Sequence, residues 1–93
     1  MDKLSEEAIT RELTGVPGWS RNGDAITTTV TQKDFAAAML YAAAVGHLAE
    51  AANHHPDITI EWNKVTLTLS THSAGGLTEA DFALARRIGT LNS

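Results

Sequence analysis

The chain has 93 residues, a formal net charge of -4 and no cysteine. This length predicts a single domain spanning residues 1–93, with a core large enough to fold unaided. The absence of cysteine excludes a disulfide framework, a thiolate zinc site and a cysteine nucleophile. The seven lysines and arginines are scattered and form no basic stripe, so we expect no direct nucleic-acid partner.

The first ten residues, MDKLSEEAIT, lack the basic-then-apolar pattern of a signal peptide. No apolar run is expected to approach the ~18–20 residues that a membrane span requires. The sequence therefore predicts a cytoplasmic protein with no membrane partner.

A short helix and a hairpin are the first predicted elements. Ser5 can cap a helix that ends near Leu13, because its side-chain oxygen can accept from the first turn. Trp19 opens a strand, residues 22–24 (Asn-Gly-Asp) supply a turn, and residues 25–30 return with alternating apolar positions. This pattern is typical of a β-hairpin.

The longest predicted helix runs from about Lys33 to Asn53. Thr31 and Asp34 have the spacing of a capping box at its start. Pro56 disfavours helical geometry in the residue before it, so we expect the chain to leave the helix at His55. Helical spacing predicts a buried face made of Phe35, Ala38, Met39, Ala42, Val45, Ala49 and Ala52.

A second hairpin and a last helix follow. Residues 58–62 alternate as a strand, residues 63–64 (Asn-Lys) turn the chain, and residues 65–69 return. Thr78 and Asp81 form a capping box for a helix that ends near Leu91 and turns three apolar residues inward, namely Phe82, Ala85 and Ile88.

The predicted order is therefore α-β-β-α-β-β-α. Four alternating strands with a single apolar face need helices on that face only. We predict an α+β fold in which three helices pack on one face of a four-stranded antiparallel sheet. The opposite face is rich in threonine and can stay exposed to water.

The candidate chemistry lies between Glu50 and Asp81, a stretch that holds three of the four histidines. His54 and His55 end the long helix, and His72 ends the second hairpin. The short connection through Pro56 should bring these three imidazoles into one pocket. Because an unperturbed imidazole has a pKa of ~6.5, one ring can donate a proton and another accept one near neutral pH.

Two carboxylates accompany the histidines, and each has a second interpretation. Glu50 precedes His54 by four residues, which predicts a hydrogen-bonded pair or an ordinary exposed pair. Asp81 is either only a helix cap or also the residue that orients His72. A metal site formed by His54, His72 and one of these carboxylates is a further alternative. His47 lies away from this cluster and is interpreted as structural or exposed.

Five motifs follow one another with characteristic intervals: residues 54–56 (His-His-Pro), 63–65 (Asn-Lys-Val), 71–72 (Thr-His), 76–78 (Gly-Leu-Thr) and Asp81. In this order they resemble the pterin-4a-carbinolamine dehydratase family. The resemblance implies dehydration of 4a-hydroxytetrahydrobiopterin to the quinonoid dihydropterin, in the recycling of tetrahydrobiopterin. It also implies that neither a metal nor another cofactor takes part.

By the same resemblance, the catalytic residues are His54, His55 and His72, of which the first and last carry the chemistry and His55 helps to hold the pterin. Substrate contacts are implied for these three histidines and for six further residues: Glu50, Pro56, Thr71, Ser73, Ala74 and Asp81.

The family also implies a homodimer or homotetramer. We expect the strand from Val65 to Thr71 to expose an edge that pairs with its counterpart in a second copy. A non-enzymatic interaction or coactivator role on the same fold is the alternative function.

Overall fold

The structure is a computed structural model that describes residues 2–92. Its helices and strands are α1 (Glu6–Leu13), β1 (Ser20–Asn22), β2 (Ala25–Thr31), α2 (Phe35–Ala52), β3 (Asp57–Glu61), β4 (Lys64–Leu69) and α3 (Glu79–Gly89). Two short 3-10 turns cover His72–Ala74 and Thr90–Asn92. All strand pairs are antiparallel, in the order β1-β2-β4-β3. The predicted fold class and element order are confirmed.

The register of β2 against β4 separates an apolar face from a threonine face. Ile26 pairs with Leu69, and both side chains are fully buried against the helices. One residue along, the side chains project to the opposite side of the sheet. There Thr29 pairs with Thr66, and their hydroxyl oxygens are 3.0 Å apart. The predicted threonine-rich face is therefore present.

The helix starts follow local hydrogen-bonding rules, with one correction. Ser5 caps α1 as predicted, since its hydroxyl accepts from the Ala8 N–H at 3.2 Å. The predicted box of Thr31 and Asp34 is wrong, because Asp34 is itself the N-cap of α2. Thr31 still belongs to β2, where the next residue, Gln32, bonds to the main chain and side chain of Asn63. At the other end of the chain, α3 stops at Gly89 rather than near Leu91.

The buried face of α2 differs from the predicted one. Ala38, Val45 and Ala49 are buried as expected, and Tyr41 joins them. Ala42 is only partly buried, and Phe35, Met39 and Ala52 are exposed. Met39 lies about 100° around the helix from Ala38, and the other two occupy the helix ends. An alanine-rich helix offers little contrast between its faces, so the spacing did not locate this stripe.

The length and composition of α2 also bear on the membrane prediction. Its 18 residues are apolar enough to cross a membrane by those two criteria alone, so the expectation that no run approaches this length is wrong. The same helix packs against β3, β4 and α3. The core helix of a folded domain passes the same test of length and composition.

The second hairpin is displaced by one residue from its prediction. Glu61 pairs with Lys64, so the turn consists of Trp62 and Asn63. Trp62 has a φ of 52°, and its side chain is 70% exposed. The predicted place of Trp62 at the end of a strand is therefore wrong. A two-residue hairpin turn needs a positive φ at its first position, which this residue supplies.

The strand predicted to offer a free edge is instead central. β4 is hydrogen-bonded to β2 on one side and to β3 on the other. Pairing of Val65–Thr71 with a second copy through an open edge is therefore excluded, because its main-chain groups are already used. Among the described strands, the outer positions belong to β1 and β3.

The phenol of Tyr41 gives the first testable prediction. Its hydroxyl is buried, and within residues 2–92 no group meets the distance and angle of a hydrogen bond to it. Burial is the larger influence and raises the pKa of Tyr41, while the nearby Asn92 side chain opposes that rise. Tyr41→Phe should leave the free energy of unfolding at pH 7 unchanged or raise it by up to about 1 kcal/mol, since no native bond is lost. Chemical denaturation of both proteins measures this difference.

The same comparison at alkaline pH tests whether the pKa of Tyr41 is raised in the folded protein. The unfolded chain ionises its tyrosine near pH ~10, before the folded chain does, so Tyr41 costs stability as the pH rises past that value. Tyr41→Phe should lose less stability there than wild type. A variant destabilised at pH 7 by more than about 1 kcal/mol would contradict an unpartnered hydroxyl.

Candidate functional site

The end of α2 determines where its two histidines point. Asn53 caps the helix in the left-handed region, with a φ of 51°, and the His54 N–H bonds to the Ala49 carbonyl at 3.1 Å. The chain therefore reverses before it enters β3. The His54 side chain is 16% exposed, whereas that of His55 is 59% exposed. The two neighbouring rings thus occupy different environments.

His54 is held by a fully buried carboxylate. Its Nε2 lies 2.5 Å from Oδ1 of Asp81, which has no exposed side-chain surface. Oδ2 of Asp81 accepts from the Thr78 N–H and from the Thr71 hydroxyl, each at 2.9 Å. An ionised carboxylate only accepts hydrogen bonds, so Nε2 of His54 is the donor to Asp81. Nδ1 of the neutral ring is then left with its lone pair.

The capping box of α3 brings Asp81 to this place. Thr78 is the N-cap, and Asp81 at the third helical position returns a bond to the Thr78 N–H. This confirms the predicted cap. The positive end of the helix dipole also favours a carboxylate here. Asp81 was expected either to cap only or to orient His72, but the ring that it contacts is that of His54.

The second imidazole–carboxylate pair is exposed. Nε2 of His55 lies 2.7 Å from Oε1 of Glu50. The prediction that Glu50 pairs with His54 is wrong, because the left-handed residue at Asn53 turns His54 away from the helix. His55 then folds back over the last turn of α2. Both side chains are more than half exposed, so this pair lies at the surface.

His72 begins the 3-10 turn that follows β4, and its side chain is exposed. Reciprocal main-chain bonds join Thr71 and Gly76, at 3.1 and 3.3 Å, and close the loop around it. Gly75 has a φ of 75°, which only glycine adopts readily. The predicted loop residues Ser73 and Ala74 complete the turn.

His72 lines a cleft of about 330 Å³ together with Asp24, Ala25, Ser70, Thr71, Gly75 and Gly76. The lining includes neither His54 nor His55. That the three imidazoles converge on one substrate stays a prediction. Hydrogen bonds connect two of them through Thr71, which precedes His72 in the chain and whose hydroxyl bonds to the carboxylate that holds His54.

The alternative metal site is not formed. Within residues 2–92, no three histidine or carboxylate side chains are close enough together to hold a metal ion. His54 and Asp81 lie together, but His72 does not complete the triad.

A larger cleft, of about 750 Å³, is lined by Val16, Trp19, Thr28, Val30, Ala85 and other residues. It contains none of the predicted site residues.

Sequence reasoning missed two participants in the site. Thr78 was predicted only as a cap, although its main-chain N–H and its hydroxyl both belong to the Asp81 network. Asp24 was placed in a hairpin turn, and the structure brings it to the cleft of His72. The capping-box spacing already carried a signal for Thr78. No local sequence pattern indicated that Asp24 lies at the cleft, because the position of Asp24 depends on how the first hairpin packs against the rest of the chain.

Comparison with known proteins bears directly on this arrangement. Residues 2–91 match the model of the pterin 4 alpha carbinolamine dehydratase family. The chain belongs to this family. A protein of Thermomicrobium roseum, provisionally named as such a dehydratase, is 50% identical over 93 residues and is covered completely by the alignment, as is this chain. A provisionally named dehydratase of Nocardia farcinica is 52% identical over 88 residues, covering 95% of this chain and 93% of its own.

Solved structures of the dehydratase fold agree. The crystal structure of a transcriptional coactivator/pterin dehydratase from Brucella melitensis is 33% identical, with a TM-score of 0.93, and covers 99% of this chain and 100% of its own. A pterin dehydratase-like RuBisCO assembly factor of the alpha-carboxysome is 24% identical, with a TM-score of 0.68 over 83% of this chain and 92% of its own. The second likeness shows the fold alone.

A stability prediction follows from the Asp81 network. Asp81→Ala leaves three buried or half-buried donors without their acceptor, so it should lower the free energy of unfolding by about 2–4 kcal/mol. Asp34→Ala is the matched control, because Asp34 is an exposed cap with a single bond to the Ala37 N–H. That control should cost only about 1 kcal/mol. Equal losses in urea denaturation would contradict a network built around Asp81.

Proposed function

We propose that this protein removes water from 4a-hydroxytetrahydrobiopterin to give the quinonoid dihydropterin, with His54 and His72 as the general base and general acid. The observation that carries the proposal is the pairing of His54 with the buried Asp81 carboxylate at 2.5 Å. Membership of the dehydratase family supports the substrate class. The names of the relatives are consistent with it.

The reaction needs one proton to be donated and one to be taken. The bond between the 4a carbon and its hydroxyl oxygen breaks, and the neighbouring N–H becomes the nitrogen of a new C=N bond. Nδ1 of His54 takes the nitrogen's proton, since its Nε2–H is committed to Asp81. The carboxylate then stabilises the imidazolium that forms, as in other histidine–aspartate pairs. His72 donates to the leaving hydroxyl, which departs as water.

The remaining residues have supporting roles in this proposal. The exposed His55–Glu50 pair lies on the chain next to His54 and is proposed to hold the pterin. Pro56, Ser73 and Ala74 are proposed to line the bound substrate. All protein groups needed for both proton transfers are side chains of this chain, so the mechanism requires no metal or additional cofactor.

Kinetics of histidine variants test the proposal. With chemically generated carbinolamine, His54→Ala and His72→Ala should each reduce the rate by ~10²–10⁴, the typical contribution of a positioned acid or base. His55→Ala should mainly raise KM. His47→Ala, an exposed position in the middle of α2, is the control and should be unchanged.

Unchanged turnover in both the His54 and His72 variants would refute histidine catalysis. Loss of activity on treatment with EDTA, restored by a divalent ion, would establish a metal mechanism instead. An inactive wild-type protein that still binds a partner would support the interaction or coactivator role, which the description of the Brucella structure also names.

Asp81→Asn separates the cap from the catalytic contribution. The amide oxygen can still accept from Thr78 and Thr71, which turns the NH2 group toward Nε2 of His54. That nitrogen must then accept, so the ring changes tautomer and its Nδ1 loses the lone pair. We expect kcat/KM to fall by ~10-fold or more, while unfolding changes by no more than about 1 kcal/mol. Normal turnover in a folded variant would leave Asp81 with a structural role only.

We also propose that the protein is a homo-oligomer that buries the outer face of α2. Leu40 is 73% exposed, Phe35 52% and Met39 48%, and the alanines beside them leave room for close approach. Large exposed apolar patches of this kind mark interfaces. A second copy is the proposed occupant, because an uncharged apolar helix face can pack against its own symmetry mate. Cytoplasmic location and the absence of nucleic-acid and membrane partners stay predictions.

Light scattering tests the oligomer. Wild type should have a multiple of the 9.9 kDa chain mass at micromolar concentration. Leu40→Lys should shift the mass toward the monomer, because a buried unpaired charge is costly at an interface. Leu91→Lys, at a less exposed position on the terminal turn, is the control. A monomeric wild type, or a Leu40→Lys protein of unchanged mass, would contradict the proposed interface.

A further inference from the structure

Thr71 lies at the junction between β4 and the turn that carries His72. Its N–H donates to the Gly76 carbonyl at 3.1 Å, and its carbonyl accepts from Gly76 at 3.3 Å and from Ala74 at 3.0 Å. These three bonds fix the base of the loop. The position of His72, the next residue, therefore follows that of the Thr71 main chain.

The Thr71 side chain points away from this loop into the network of Asp81. Its Oγ1 lies 2.9 Å from Oδ2 of Asp81 and 2.8 Å from Oγ1 of Thr78. An ionised carboxylate only accepts, so the Thr71 hydroxyl donates to Asp81. The Thr78 hydroxyl must then donate to Thr71, while it accepts from the Ala80 N–H at 3.2 Å.

This arrangement uses the one hydrogen of the Thr71 hydroxyl. A bound substrate could not receive it without breaking the bond to Asp81. The same carboxylate holds Nε2 of His54 through its other oxygen. A continuous path of hydrogen bonds therefore joins the His54 ring, Asp81 and Thr71, and one peptide bond continues it to His72.

We infer that Thr71 is a positioning residue, whose hydroxyl fixes the His72 loop relative to His54 and does not donate a hydrogen bond to the substrate. The substrate contact that the family resemblance implies for Thr71 is then made by its other atoms. The kinetic consequence rests on the proposed dehydratase function. The coupling between the two histidines does not, because it can be observed without substrate.

Three variants test the role of the hydroxyl. Thr71→Val removes it at nearly constant shape, and Thr71→Ser retains it. Thr29→Val is the matched control, because it also removes a threonine–threonine bond, of 3.0 Å to Thr66, but on the open face of the sheet. Histidine side-chain resonances in ¹H–¹⁵N spectra report the two rings in the substrate-free protein.

We expect Thr71→Val to shift the ring resonances of both His54 and His72, and Thr71→Ser and Thr29→Val to leave them close to wild type. With carbinolamine, Thr71→Val should lower kcat by about 10–100-fold with little change in KM, as for other residues that orient catalytic groups. Thr71→Ser should restore most of kcat.

Two results would overturn the inference. One is a Thr71→Val protein in which only one of the two rings shifts, because the path would then not join them. The other is raised KM with unchanged kcat, which is the signature of a lost substrate contact. If wild type has no dehydratase activity, the proposed function fails, and the ring spectra alone decide whether Thr71 couples the two histidines.

Discussion

The buried carboxylate of Asp81 is the interaction on which the site depends. Removing a charged carboxylate from water costs several kcal/mol unless hydrogen bonds and local charge compensate. Here three donors converge on it, from His54, Thr71 and the Thr78 main chain, and the first turn of α3 adds its dipole. The Asp81 side chain thereby joins the C-terminal ends of α2 and β4 to the N-terminal end of α3.

This convergence explains why the two imidazole–carboxylate pairs differ in their expected chemistry. The His54–Asp81 pair is largely shielded from water, so its orientation is fixed and its electrostatic interaction is strong. The His55–Glu50 pair is exposed, so solvent screens it and both side chains can move. Of these two pairs, the shielded one presents its ring nitrogen in the more constant direction. The proposed function assigns a proton transfer to His54 rather than to His55 for this reason.

Features encoded by neighbouring residues could be predicted from the sequence. The cap by Ser5, the capping box of Thr78 and Asp81, and the inward face of α3 each depend on spacings within one helix. The alternation of β4 predicted its buried face in the same way. Together these local signals gave the element order and the fold class.

Features that depend on packing could not be predicted in this way. The capping-box spacing explains Asp81 without any histidine. The contact of Asp81 with His54 depends on the left-handed conformation of Asn53, which directs His54 toward α3. Two hairpins do not specify which strands are neighbours, so the central place of β4 was missed. In α2, alanine on every side concealed which apolar residues face outward, as Leu40 does.

The tautomer of His54 in the substrate-free wild-type protein is the most direct test of this account. Long-range ¹H–¹⁵N correlation spectra of a protein labelled in its histidine rings distinguish a protonated Nε2 from a protonated Nδ1. At a pH where the ring is neutral, the account predicts hydrogen on Nε2, bonded to Asp81, and a lone pair on Nδ1. A neutral ring with its hydrogen on Nδ1 would contradict it, because His54 would then have no basic nitrogen free to take the proton of the substrate.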